Sequence, residues 1–343
     1  MPHRDFIKFI LPSLLAMMLF IAFPIVSVLV QSLYVEHDQV MIVTENCNPF
    51  GCEKETIIDI EATAKLKEEE PLGKFNGLGT YTNRSHLAFT EVAEAWRSTD
   101  SFSAFMVKIY DLPFYKALFF TLVYTFFVTP VGIILGLLIA LAVNSLPRLF
   151  KGATIFVSLL PMIVTPLIGS LILFWMIDAD GIIGATLQYL YDDSSLSLKA
   201  SAGLTWATLI FYGIWHQAPF PFIVFYAGLQ TVPQDVLQAA MIDGASRWER
   251  VWYVTVPHLM PLVTFCALIM LMDNFRVFEP IVGFSASANA TSLSWIIFND
   301  LRGQETPLFG SAAATSMLTI IGVIILLKPV LYRTWQDFKS KTA

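Results

Sequence analysis

Residues 231–261 read TVPQDVLQAAMIDGASRWERVWYVTVPHLMP, and this stretch decides the architecture expected for the chain. Thr231 can cap a short helix, with Pro233 in the first turn and Asp235 near the positive end of the helix dipole. Gly244 suits the positive φ that commonly ends a helix. The stretch therefore predicts a short helix that stops at a glycine hinge.

A second helix is predicted directly after the hinge. Ser246 and Glu249 have the spacing of a capping box, and Pro257 and Pro261 mark the exit of the helix. The loop is also rich in small side chains, which would let a partner protein approach closely. The alternative is that it is an interfacial helix pair that only joins two membrane spans. The small residues are Ala239, Ala240, Gly244 and Ala245.

The composition around this loop indicates a membrane protein. Of the 343 residues, 56% are hydrophobic and 14% are charged, whereas soluble domains carry about 25% charged residues. This excludes disordered and fibrous classes and disfavours a soluble enzyme. The net charge of −6 offers no basic surface to nucleic acid. Three cysteines are too few for a disulfide scaffold.

Six apolar stretches are long enough to cross a bilayer, which takes roughly 20 residues per helix. The first is longer than the apolar part of a secretory signal, about 7–15 residues, and is expected to be retained. Prolines interrupt the third at Pro161 and Pro166, and the fourth at Pro219 and Pro221. The expected spans are residues 9–33, 114–143, 154–177, 204–229, 259–284 and 309–331.

Lysine and arginine in the short loops predict the orientation. One side carries ten, from Arg4 and Lys8 to Lys339 and Lys341, and the other carries two, Lys199 and Arg302. Positive residues collect on the cytoplasmic side, so both termini are expected in the cytoplasm. The segment 35–113 is then external. It holds fourteen acidic and seven basic residues.

The external segment is either a docking surface for an external protein or a loosely ordered insertion. Helical patterning is plausible around residues 58–70 and 90–97. Cys47 and Cys52 bracket the turn-forming residues 48–51, which predicts a local disulfide in a compartment that permits one. No metal site is predicted at these two cysteines, because the sequence places no histidine or second cysteine pair near them. Cys266 is expected to be a small core hydrophobe.

The loop resembles the EAA signature of ABC-type import permeases, Glu-Ala-Ala-x3-Gly followed downstream by Ile-x-Leu-Pro. The matching residues are Gln238-Ala239-Ala240, Asp243-Gly244-Ala245 and Pro257. Other stretches resemble the carbohydrate branch of that family. They are residues 77–81 (GLGTY), Trp215 with Pro219-Phe220, residues 227–230 (AGLQ) with Pro233, and residues 273–279 (DNFRVFE). Residues 35–74 and 82–113 look like insertions.

Two positions depart from the family pattern. Gln238 stands where glutamate is usual, so an ion pair there would become a neutral hydrogen bond. Residues 285–288 (SASA) stand where a Gly-Gly-Pro turn is common, so the resemblance does not predict the geometry of that external loop.

The resemblance implies an all-α, six-span permease of the type I importer fold with a cytoplasmic coupling helix, in the bacterial inner membrane. It divides the chain into residues 1–34 (tail and first span), 35–113 (external insertion) and 114–343 (permease core with the coupling loop at about 231–257). The expected partners are a second permease subunit of different sequence, two cytoplasmic ATPases and an external solute-binding protein. The residues expected to couple to the ATPase are Gln238, Ala239, Ala240, Asp243, Gly244, Ala245, Arg247 and Pro257.

No cofactor is expected on this chain. The sequence lacks a phosphate-binding Gly-x4-Gly-Lys-Ser/Thr motif, so ATP and Mg²⁺ would be used by the partner ATPase. It also lacks the usual hydrolase motifs, which favours a transport subunit over an enzyme.

Polar residues within the spans are the candidates for a substrate path, because each intramembrane charge costs roughly 2.5–3.5 kcal/mol on insertion scales. Asp273, Arg276 and Glu279 repeat at i, i+3 and i+6 and are expected on one helix face. Each candidate also has a purely structural interpretation. The three charged residues would form a charge cluster between helices, His216 would be a hydrogen-bonded core histidine, and the aromatic side chains would only pack. The candidates are Trp215, His216, Gln217, Asp273, Asn274, Arg276 and Glu279.

Two other functions stay open from the sequence. One is a permease of the same family for a polyamine, a phosphate or an amino acid, since the three charged candidates sum to only −1. The other is a channel or a membrane enzyme, which would purify without an ATPase.

Overall fold

The computed structural model describes residues 3–48, 51–193, 196–304 and 306–342, which are mostly helical, as predicted. The helices are α1 (His3–Met17), α2 (Phe23–Gln31), α3 (Ile60–Glu69), α4 (Gly79–Thr82), α5 (Phe89–Arg97), α6 (Phe102–Tyr110), α7 (Pro113–Ser145), α8 (Arg148–Ile163), α9 (Pro166–Met176), α10 (Ile182–Tyr191), α11 (Ala202–Gln217), α12 (Pro219–Leu229), α13 (Gln234–Ile242), α14 (Arg247–Arg250), α15 (Val256–Phe275), α16 (Glu279–Gly283), α17 (Leu293–Arg302) and α18 (Phe309–Thr342). The strands are β1 (Tyr34–Val35), β2 (Met41–Asn48), β3 (Gly51–Ile58) and β4 (Lys74–Phe75).

Four continuous helical stretches in the described residues are long and apolar enough to cross a bilayer. They are Ile7–Gln31, Pro113–Ser145, Arg247–Phe275 and Phe309–Tyr332. The third expected span is a bent pair instead, because α8 and α9 meet at 93°. Thr165 has extended backbone (ψ 147°) directly before Pro166, as expected of a residue that precedes proline.

The fourth expected span, 204–229, consists of two helices. Ala218 separates α11 from α12 but keeps helical angles, φ −58° and ψ −32°. Pro219 follows, and its missing N–H removes one hydrogen bond of the helix. Each half is shorter than a span, so the count of six spans remains a prediction.

The bounds predicted for the fifth span, 259–284, are wrong at both ends. The observed span begins with α14 at Arg247 and runs through a π-helical turn, Val251–Thr255, into α15. It ends at Phe275, where Arg276 leaves the helix (φ −103°, ψ 24°) and a separate short helix, α16, follows.

The chain packs as two compact units, Met1–Lys116 with Ile296–Ile320 and Ala117–Trp295 with Ile321–Ala343. In the first unit, α3 and α5 confirm the helical patterning expected around 58–70 and 90–97. The functional division at residues 34 and 113 rests on other criteria and stays a prediction.

The first unit also contains short strands, within a chain that is mostly helical, as predicted. β1 pairs with β4 and β2 with β3, both antiparallel. β2 and β3 are rich in β-branched residues such as Val43, Thr56 and Ile57, which favour extended backbone. The turn expected at residues 48–51 includes residues 49–50, which lie outside the described part of the chain.

The second unit is held by two buried clusters. The first includes Phe120, Tyr124, Val128, Leu209, Tyr212 and Ile281. The second includes Ala140, Val143, Phe222, Phe225, Leu259 and Cys266. Cys266 is fully buried and free, which confirms its expected place in the core.

Candidate functional site

The predicted glycine hinge is confirmed at the end of α13. The backbone N–H of Gly244 donates to the Met241 carbonyl (3.1 Å), and that of Ala245 donates to the Ala240 carbonyl (3.0 Å). Gly244 has φ +81°. This pair of bonds is a Schellman motif, which satisfies helix carbonyls that would otherwise lack partners. The turn between the two helices is therefore defined by the backbone.

The capping box of the second helix is also confirmed. Ser246 Oγ accepts from the Glu249 N–H (3.3 Å), and Glu249 Oε2 accepts from the Ser246 N–H (2.7 Å). α14 then continues through the π-helical turn into α15 without a second loop. The hinge is thus joined directly to a membrane span.

Thr231 is not the N-cap of α13, contrary to expectation. The cap position is Pro233, and α13 begins at Gln234. A cap at Thr231 would place Pro233 at the second helical position, where proline has no N–H to donate. Thr231 instead donates to the Gly228 carbonyl (2.8 Å) and hydrogen-bonds His258 Nε2 (3.1 Å), which ties the loop to α15.

Most of the predicted coupling residues lie on an exposed surface. Gln238, Ala239, Asp243, Gly244, Arg247 and Pro257 are exposed, and Ala240 and Ala245 are half-buried. A Cβ built at Gly244 would meet no atom within 4 Å. The space over the hinge is therefore open within this subunit.

Apolar side chains that the sequence reasoning missed surround the hinge. Ile242 is 86% exposed, and Met241 and Trp248 are also exposed. The sequence contains this signal, because bulky apolar residues occur in a loop that the charge pattern predicts to lie at the membrane surface. Together with the predicted residues they form a surface that a protein partner could cover.

A polar cavity of ≈ 60 Å³ lies in the second unit. It is lined by Tyr124, Pro166, Tyr212, Gly213, His216, Gln217, Asp273, Asn274, Val277, Glu279 and Pro280. Five of the seven predicted substrate-path residues are therefore brought together from three helices: His216, Gln217, Asp273, Asn274 and Glu279.

Hydrogen bonds hold the inner wall of this cavity. Asn274 is almost fully buried, and its Nδ2 donates to Thr129 Oγ1 (2.9 Å). His216 Nε2 lies 3.1 Å from the Val164 carbonyl, and the Tyr212 hydroxyl donates to the Pro166 carbonyl (2.8 Å). Both carbonyls lie at the bend between α8 and α9. The wall is therefore set by the proline break that the sequence contains.

The charged candidates do not share one helix face, which corrects the expected i, i+3, i+6 alignment. The helix ends at Phe275, so Glu279 begins a different helix from Asp273. Arg276 Nη2 pairs with Asp273 Oδ1 at 2.9 Å, with both side chains about half exposed. Arg276 does not line the cavity. Trp215 lines a separate apolar cavity of ≈ 330 Å³ instead.

Two tyrosines of the cavity were not among the predicted site residues. A Cβ at Gly213 would collide with the Tyr124 hydroxyl, and one at Gly169 would lie 2.5 Å from the Tyr212 hydroxyl. Both glycines therefore make room for a ring from another helix. No local sequence pattern indicates this, because each pair is joined only by packing between helices.

The comparisons agree with this architecture. Residues 129–333 match the family described as the binding-protein-dependent transport system inner membrane component. The chain is 29% identical over 231 residues to the multiple sugar-binding transport system permease protein MsmF of Streptococcus mutans, covering 65% of this chain and 78% of MsmF. It is 31% identical over 229 residues to the inner membrane ABC transporter permease protein YcjO of Escherichia coli, covering 63% and 74%.

A solved structure shares the fold. A chain of a bacterial ABC transporter involved in the import of alginate, an acidic polysaccharide, superposes with a TM-score of 0.60 at 18% identity, covering 81% of this chain and 97% of that chain. With the family match over more than half of its length, the chain belongs to the binding-protein-dependent transport system inner membrane components. It is a multi-pass membrane subunit of an ABC importer.

Proposed function

We propose that this chain is the transmembrane subunit of an importer that moves a carbohydrate, a sugar, oligosaccharide or sugar alcohol, across the inner membrane by alternating access. The observation that carries this proposal is the cavity, where His216, Asn274 and two tyrosines offer neutral hydrogen-bonding and aromatic groups. Such groups suit hydroxyl-rich ligands. The names of its relatives, MsmF among them, support the same substrate class.

The orientation and partners follow from the charge pattern and the family. Both termini lie in the cytoplasm, with the loop at 231–257 on that side and residues 35–113 outside. The subunit pairs with a second permease of different sequence, two cytoplasmic ATPases and an external binding protein. The ATPases use ATP and Mg²⁺, and this chain binds no cofactor and catalyses no reaction.

Coupling passes through the hinge. Closure of the ATPases pushes on the surface around Gly244, and the Schellman motif and the capping box transmit the push without bending. Because α14 is continuous with α15, the displacement reaches the cavity at the far end of that span. The candidate path then changes from facing outward to facing inward.

The path widens during transport and is completed by the second permease. Ligand pockets commonly measure roughly 300–1,000 Å³, so a cavity of ≈ 60 Å³ is too small for a sugar ring in this conformation.

The charges of the candidate path residues favour a neutral cargo. Arg276 pairs with Asp273, whereas the carboxylate of Glu279 makes no ion pair within the described part of the chain. A polyamine path would need a more acidic wall.

The test is uptake by proteoliposomes that contain both permeases, the ATPase and the binding protein. ATP-dependent uptake of a neutral sugar or polyol, first identified by a thermal-shift screen of the binding protein, is expected. Uptake of a polyamine, phosphate or amino acid in its place would contradict the carbohydrate assignment. Flux that persists without ATP or the ATPase would indicate a channel.

A further inference from the structure

α5 and α6 form a small helical hairpin in the first unit. Their inner sides pack around Ala88, Ile109 and Leu112, which are buried, with Val92 and Phe105 against them. On the polar side, Lys108 Nζ donates to Ser98 Oγ (2.9 Å) and links the two helices. The hairpin is therefore a packed element with one buried face.

Exposed apolar side chains flank this buried contact on both helices. Phe102 and Met106 are four residues apart on α6, and Phe89 and Trp96 are seven apart on α5, so each pair shares a helix face. The exposed side chains are Phe89 (56%), Trp96 (65%), Phe102 (70%), Met106 (46%) and Val107 (63%). In water, so many adjacent apolar side chains would be unfavourable.

Hydrogen bonds fix the base of the hairpin to two membrane helices. The Tyr115 hydroxyl, in the first turn of α7, donates to the Leu87 carbonyl (2.9 Å). His86 Nε2 lies 3.1 Å from the Ser311 carbonyl and from Thr315 Oγ1, near the start of α18. Only Asp111 and Leu112 separate α6 from α7. The hairpin thus lies where these two spans leave the membrane.

We propose that the hairpin of α5 and α6 lies in the lipid headgroup region, with the exposed apolar side chains of Phe89, Trp96, Phe102 and Met106 inserted into the outer leaflet. Amphipathic helices bind the interface in this way, and tryptophan is enriched there. The chain itself points to lipid as the occupant, because only two residues join α6 to α7, a helix long and apolar enough to cross a bilayer. The insertion would hold the external segment against the membrane.

Trp96 is the natural probe of this placement. The importer is reconstituted into vesicles whose lipids carry bromine near the headgroup or deep in the acyl chains, and the emission of Trp96→Phe is subtracted from that of the wild type. Aqueous iodide is used in parallel. Trp175, which is 65% exposed on the apolar helix α9, provides a matched lipid-facing control through Trp175→Phe.

Loss of most of the Trp96 signal to shallow bromines, with little loss to iodide, is expected. Quenching by iodide alone would overturn the proposal, because these side chains would then lie in water. Protection from both quenchers would also overturn it and would point to a protein partner. Because the test needs no transport, its result is independent of the carbohydrate assignment.

Discussion

Asn274 donates a hydrogen bond to Thr129 across 145 residues of sequence, and this bond joins α15 to α7 in the wall of the polar cavity. Asn274 and Thr129 are 1% and 4% exposed, so neither group has ready access to solvent. Asn274 was predicted to lie on the substrate path, and its geometry shows that it also connects two helices.

Asn274→Ala and Thr129→Val separate these two roles. Loss of an interhelical hydrogen bond in a membrane protein costs about 0.6–1.7 kcal/mol, so each variant should lower the thermal unfolding temperature, and the double variant should be little worse than either. If Asn274 also contacts the cargo, Asn274→Ala will reduce uptake more than Thr129→Val. Additive losses of stability would show that the bond does not couple the residues.

Gly244→Leu should abolish uptake while the subunit still reaches the membrane and pairs with its sister permease. A left-handed residue with a Cβ costs roughly 1–2 kcal/mol, and the side chain would fill the open space over the hinge. Gly244→Asn tolerates the positive φ and isolates the effect of bulk. Asp243→Ala should do less. Wild-type uptake by Gly244→Leu, with the ATPase still attached, would refute the coupling role.

Ile242→Ser should weaken retention of the ATPase during purification. Burial of an isoleucine side chain in an interface contributes roughly 1.5–3 kcal/mol, which corresponds to about 10–150-fold in affinity. Ile182 is similarly exposed, at 77%, but lies on α10 outside the coupling loop. Ile182→Ser is therefore the control and should leave retention unchanged. Equal loss in both variants would indicate general destabilisation.

Cys47 and Cys52 should be joined by a disulfide. Their side chains lie outside the described part of the chain, but the backbone register makes them direct cross-strand partners. Such partners have Cα atoms about 4.5–5.5 Å apart, within the roughly 4.4–6.8 Å that a disulfide spans. Alkylation of the denatured, unreduced protein should label Cys266 alone. Labelling of all three cysteines would exclude the bridge.

Acid should loosen the contact between His86 and α18. Burial lowers the pKa of His86, and this outweighs the Ser311 carbonyl and the Asp300 charge, which act to raise it. When this contact is broken, His86 is exposed and binds a proton more readily than when it is buried. The contact therefore has its full stability above the ordinary histidine pKa of about 6.5 and loses stability as the pH falls below it. Burial raises the pKa of Asp300, which acts in the opposite sense.

The measurement is hydrogen exchange of residues 83–88 at about pH 7.5 and about pH 5.5, which bracket the ordinary histidine pKa, after correction for the intrinsic exchange rate. The wild type should lose protection at the lower pH, and His86→Gln should show a smaller change between the two. An equal pH dependence in both proteins would assign the effect to a group other than His86.

Features that depend on neighbouring residues could be predicted from the sequence. The Ser246–Glu249 capping box and the positive φ of Gly244 involve groups within a few residues of one another, so the local chain is sufficient to specify them. The apolar content similarly indicated a membrane protein, because a span needs only length and hydropathy. The signature around Gln238 and Gly244 identified the family for the same reason.

The tertiary structure alone decided where helices stop and which groups meet. The pattern at 259–284 is continuously apolar enough for one helix, yet the chain leaves the helix at Arg276, and this places Glu279 on a different helix from Asp273. The bond between Asn274 and Thr129 and the room that Gly213 leaves for Tyr124 depend on packing between distant helices. Such contacts leave no periodic trace in the sequence, because each is made once, by two residues that only the fold brings together.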